Sequence, residues 1–138
     1  MRINVTDVDQ YMEDTTLDEA LYTVEVVDAD LLTTKSGYEQ LMLRLTIVDG
    51  PTQMNGKSAI GEEVTDFILL DENASIKPRG IKFIRERVGA LFASFGISPD
   101  SDDEHDFIGK KAIAKIRPGE DLDGFPRNEV RRYKKALD

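Results

Sequence analysis

Apolar and polar side chains alternate in two long runs near the start of the chain. Tyr22, Val24 and Val26 are separated by polar residues, and Leu41, Leu43, Leu45 and Ile47 by Met42, Arg44 and Thr46. A period of two puts each apolar set on one face of a β-strand. Between the runs lies Thr33-Thr-Lys-Ser-Gly37, and after them Asp49-Gly-Pro51, both rich in residues that turn a chain. The pattern predicts a hairpin with strands over residues 21–32 and 38–48. The first strand loses its alternation at Val27 and resumes as Val27, Ala29 and Leu31. Such a slip carries side chains to the other face, so a β-bulge or strong bend is predicted there.

Three further elements follow. A third strand is predicted within residues 63–70, with Phe67 and Leu69 toward the core and the last four positions, all apolar, buried on both sides at one end. Ile81, Ile84, Val88, Leu91, Phe92 and Phe95 recur at three and four residues, which predicts a helix with Arg79, Lys82, Arg85 and Glu86 on its solvated face. Ser75 is its expected cap, Pro78 suits its first turn and Gly96 its end. Residues 107–117 read as a fourth strand, 118–126 as a connection full of breakers, and 127–135 as a basic fifth strand. The expected fold is all-β with one helix, a five-stranded oligonucleotide/oligosaccharide-binding (OB) barrel in the order β-β-β-α-β-β. Residues 1–19 are read as a polar arm and 20–138 as the single OB-fold domain.

Composition narrows the chemistry. At 138 residues and 40% hydrophobic, the chain suits one domain with one core. It has no cysteine, so disulfides, thiolate metal sites and a thiol nucleophile are excluded. The single histidine, His105, lies in the acidic run Asp100-Ser-Asp-Asp-Glu-His-Asp106, which lacks the central glycine and final glutamate of a calcium-binding loop. Glu62, Glu63 and Asp66 are acidic neighbours, but a strand splits them between two faces, and solvated charge is the expectation rather than a Mg²⁺ site. No phosphate-binding glycine loop or nucleophile elbow occurs. No enzyme and no cofactor are expected. The N-terminus lacks the apolar stretch of a signal peptide, and no apolar run approaches the ~20 residues that span a bilayer. The expected location is the cytoplasm, with no membrane partner.

Net charge is −9, but unevenly spread. Residues 1–76 carry 4 basic and 16 acidic side chains, whereas 77–138 carry 14 basic and 11 acidic. A local basic stripe can neutralise phosphates on an acidic protein.

Several strings together resemble a bacteriophage single-stranded DNA-binding protein family found among replication and recombination genes. They are Tyr22-Thr-Val-Glu-Val-Val-Asp-Ala-Asp30, Thr34-Lys-Ser-Gly37, Leu41-Met-Leu-Arg-Leu45 and Val48-Asp-Gly-Pro51, with Gly109-Lys-Lys-Ala-Ile-Ala-Lys115 and Asn128-Glu-Val-Arg-Arg-Tyr133 toward the end. The likeness runs over residues 20–134. It implies an OB-fold that coats single-stranded DNA in the host cell cytoplasm, alongside phage or host replication and recombination proteins. In place of the family's glycine-and-basic stretch after the second strand stands Gly50-Pro-Thr-Gln-Met-Asn-Gly-Lys57, with one basic residue, which weakens the case for a phosphate contact there.

Binding a single strand needs a positive groove and exposed rings on which bases stack. The loop between the first two strands offers Lys35 and Tyr38, with Arg44 beyond it. The loop between the last two offers Phe125 and Arg127, and the flanking strands add Lys115, Arg117, Arg131 and Tyr133, with Phe67 of the third strand as the alternative stacking ring to Tyr133. In an OB-fold these loops bracket a ligand face on strands two and three. Arg44 is alternatively a cross-strand partner for Glu25 or Asp66. A different class of function is an interaction module on the same barrel, docking a basic replication or recombination partner through the acidic first half, or dimerising through open sheet edges.

Overall fold

The computed structural model describes residues 2, 4 and 16–136. Most of the expected polar arm therefore lies outside the described residues. Its last part, 16–19, is anchored. Leu17 is buried, with its amide donating to Asn128 Oδ1 at 2.7 Å, and the Asp18 amide donates to Gln53 Oε1 at 2.7 Å.

Five antiparallel strands form one sheet: β1 (Ala20–Thr33), β2 (Glu39–Asp49), β3 (Glu63–Leu69), β4 (Lys111–Glu120) and β5 (Pro126–Lys134). Their order across the sheet is β3-β2-β1-β4-β5. Strand β1 is central because it is long enough to serve two partners. Ala20 to Glu25 pair with β4, and Thr23 to Thr33 pair with β2. The predicted bulge is present, with a register shift between Val26 and Asp28. There β1 takes leave of β4, and Val26 exchanges hydrogen bonds with the Lys110 carbonyl (3.0 Å) and the Gly109 amide (2.8 Å).

The predicted inward set of β2, Leu41, Leu43, Leu45 and Ile47, is buried. Beneath the sheet lies the single α-helix, α1 (Pro78–Phe95), which presents Ile84, Leu91 and Phe95 to the core. It starts with Pro78 at its first position and ends at Gly96, whose φ of 68° is in the left-handed region that favours glycine. Arg79, Lys82, Arg85 and Glu86 are exposed as expected. No helix among the described residues is long and apolar enough to cross a membrane.

The structure corrects the sequence expectations at six points. The sheet is not closed: β3 and β5 are its two ends, so the ladder is an open one rather than a complete barrel. Two short 3-10 turns, Glu72–Ala74 and Glu104–Phe107, flank α1, so the order is more than three strands, a helix and two strands. The cap of α1 is Lys77, with no side-chain hydrogen bond, and Ser75 Oγ instead accepts from the Lys77 amide at 3.3 Å. Phe107 belongs to the second 3-10 turn because its ring packs edge-on against Phe92 and Phe95, which pulls it out of the strand. Strand β4 in turn runs on through Pro118 and Gly119, paired with Asn128 and Arg127. In β3, Val64, Asp66 and Ile68 are buried while Phe67 is 44% exposed, the reverse of the predicted facing.

Candidate nucleic-acid interface

Where the ladder stops, side chains take over. Asp66 sits on an inward position of β3, and a buried carboxylate requires partners. Arg87 of α1 supplies them, its Nη2 donating to Oδ1 and Oδ2 at 2.7 and 2.8 Å. Tyr133 Oη of β5 donates to Asp66 Oδ2 at 2.7 Å, and Arg87 Nη1 donates to the Val130 carbonyl of β5 at 3.3 Å. One carboxylate thus ties β3, α1 and β5 together across the seam. Burial pushes the Asp66 carboxyl above its ordinary value, opposed by the charge of Arg87 and the hydrogen bond from Tyr133. Burial, reinforced by the Asp66 charge, pushes the Tyr133 hydroxyl well above its ordinary range, so it stays a protonated donor.

A cavity of about 420 Å³ opens beside this clasp, between the β3 edge, α1 and the start of β5. Gln40, Phe67, Leu69, Phe83, Arg87, Arg127 and Glu129 are among its lining residues. A second hollow of about 230 Å³ shares Phe83 and Arg87 with it and continues along α1 past Arg131, Arg132 and Tyr133. Together they make one groove with two exposed rings, Phe67 at 44% and Phe83 at 59%. Arg127, Arg131 and Arg132 are exposed along its β5 wall. Glu129 lies among them and is held below its usual range by the hydrogen bond from Arg131 (3.0 Å) and by the charge of Arg117, whose Nε lies 3.5 Å away.

The residues singled out from sequence divide sharply. Lys35 is exposed in the β1–β2 turn. Tyr38 is half-buried at its end, where its amide donates to Thr34 Oγ1 at 3.1 Å and its carbonyl accepts from the Thr34 amide at 2.8 Å. Phe125 is 66% exposed in the β4–β5 turn, with its amide donating to Asp121 Oδ1 at 2.9 Å. Lys35, Tyr38 and Phe125 are not among the residues that line the groove; its lining includes Gln40, two residues past Tyr38, and Arg127, two residues past Phe125. Lys115 is half-buried on β4 opposite Arg132, and Arg117 and Arg131 meet at Glu129.

Arg44 is not brought to the groove. Its Nη2 donates to Asp28 Oδ2 on β1 at 2.7 Å, so neither Glu25 nor Asp66 is its partner. Tyr133 is 5% exposed and committed to Asp66, which removes it as a stacking ring. Asp66 is likewise not solvated charge, unlike Glu62 and Glu63, and its oxygens are taken by Arg87 and Tyr133.

Phe83, Arg87 and Arg132 of the groove were absent from the sequence candidates. Arg87 lies three residues after Ile84 and next to Val88, on the edge of the apolar stripe, and that position was the available signal. For metal binding, ligand atoms of Asp103, Glu104 and His105 lie within 4.8 Å of one another among the described residues. Local structure accounts for that grouping, because Asp103 caps the 3-10 turn by accepting from the His105 amide at 2.9 Å. No protein-family model matches this chain, and no curated protein matches it.

Proposed function

We propose that the protein binds single-stranded DNA without sequence preference during phage DNA replication or recombination, and that its sheet is an OB-type barrel used with its seam open. One observation carries this reading: Phe67 and Phe83 expose their rings in the same groove that Arg127, Arg131 and Arg132 line. Rings that accept stacked bases, beside cations that hold phosphates, are the two ingredients of sequence-tolerant strand binding. Gln40 and Arg127, which lie at the start of the strands after the two OB loops, line the groove, and the resemblance of residues 20–134 to the phage family supplies the biological setting.

The test is fluorescence anisotropy of a labelled single strand of about 30 nucleotides, a span that covers several OB-sized sites, with duplex and RNA competitors at two salt concentrations. Tight binding that favours the single strand and weakens with salt is expected. Phe83→Ala and Phe67→Ala should each cost ~1–3 kcal/mol of affinity. Arg127→Ala should lower the salt slope by about 1. Failure to bind at low salt, or variants indistinguishable from the parent, would sink the reading.

A further inference from the structure

Adjacent residues at the start of β2 and the end of β3 serve two different cavities. Gln40 and Leu69 line the groove, while Glu39, Leu41 and Leu70 line a separate pocket of about 260 Å³. Strand alternation puts these sets on opposite faces. The pocket's wall is apolar, with Leu31, Phe92 and Phe107 joining Leu41 and Leu70, and the Phe92 and Phe107 rings meet edge-on at 5.4 Å. Its mouth is acidic: Glu39, Asp102, Asp103 and Glu104 surround it. Asp103 is occupied by His105, at 3.2 Å. Among the described residues, no cation pairs with Glu39, Asp102 or Glu104.

An apolar pocket ringed by unneutralised carboxylates leaves two costs standing, clustered like charge and a Leu31 side chain 41% exposed at an otherwise buried or half-buried apolar wall. One occupant removes both, an apolar side chain flanked by cations. Nucleic acid is repelled by the rim. The volume lies below the ~300–1,000 Å³ usual for small-molecule sites, and it suits a single anchoring side chain. The geometry points to a docking site for a short cationic peptide segment of a partner protein, with one leucine-sized side chain in the pocket and lysines or arginines on Glu39, Asp102 and Glu104. This site does not depend on the strand-binding reading, and because the pocket and the groove share no lining residue, partner and nucleic acid can be held at once.

The probe is a fluorescein-labelled peptide, Lys-Arg-Leu-Lys-Arg, titrated with the full chain by anisotropy. Salt-sensitive saturable binding is expected. Replacing the peptide leucine by alanine should weaken it about tenfold, as should the double variant Asp102→Lys, Glu104→Lys, each equivalent to a loss of about 1.4 kcal/mol. Both substituted positions are exposed or at the rim, and a thermal melt checks that the variant is folded. Arg127→Ala, on the groove, should leave peptide binding unchanged. No binding, or binding indifferent to the leucine, would overturn the proposal, leaving only general attraction to an acidic protein. Concentration-dependent self-association that the double variant abolishes would overturn it too, by assigning the pocket to a second copy of the chain.

Discussion

At the scale of single residues, the clasp formed by Asp66, Arg87 and Tyr133 dominates. Arg87→Met should cost ~3–5 kcal/mol in urea unfolding, because it strands a buried carboxylate. Replacing all three members with apolar residues, as Asp66→Leu, Arg87→Met and Tyr133→Phe together, should recover most of that loss; equal losses would show that the clasp is not what Arg87→Met disrupts. The pH dependence has a definite sign. Because burial raises the Asp66 carboxyl above its ordinary 3.8, the folded chain holds that proton where the unfolded chain has released it. Its contribution is complete below 3.8 and declines as pH rises through the folded value. Glu129 has the opposite sign, contributing above its ordinary 4.5 and losing that contribution as pH falls through its lowered folded value. Urea midpoints across an acid pH series should show the wild-type margin over Asp66→Asn shrinking as pH rises; a growing margin would reject this. None of the clasp was legible in sequence, because its members stand 21 and 67 residues apart and pair only once the fold exists.

At the scale of elements, much more was legible, and the reason is that strand and helix periodicity are local. The inward face of β2, the bulge in β1, the apolar stripe of α1 and its glycine stop all follow from spacing alone. Phe67 was misplaced because a run of four apolar residues carries no alternation from which to choose a face, and Asp66 then looked like the outward residue. The start of β4 was misread because Phe107 answers to the helix above it rather than to its neighbours in sequence. One tight packing contact joins the β2 exit to the start of β1. A Cβ on Gly50 would lie 2.5 Å from Tyr22 Cδ1. The ring cannot retreat freely, since its hydroxyl donates to the Asp18 carbonyl at 2.6 Å and accepts from Gln53 Nε2 at 2.9 Å. Gly50→Ala should therefore destabilise by ~1–3 kcal/mol, read as a lower thermal midpoint. An unchanged midpoint would show that the ring is not fixed.

At the scale of the whole molecule, charge is partitioned rather than balanced. The groove gathers arginines on a chain of net charge −9, so under the strand-binding proposal a polyanion would approach against the overall field and be held by a local one. Neutralising the acidic loop with Asp100→Asn, Asp102→Asn and Asp106→Asn should speed association with single-stranded DNA in stopped-flow at low salt while leaving dissociation unchanged. A changed dissociation rate would place the loop in contact with the strand. The divided allegiance of β1 has a different consequence, one of timing. A chain made from its N-terminus releases β1, β2 and β3 in succession, but Lys111 to Ile116, the partners of Glu25 to Ala20, follow only after the helix has been synthesised. During that interval the first half of β1 is a bare edge carrying Tyr22 and Val24, ready to pair with another nascent chain. The newborn protein is most vulnerable to aggregation at the very strand that ends up at its centre.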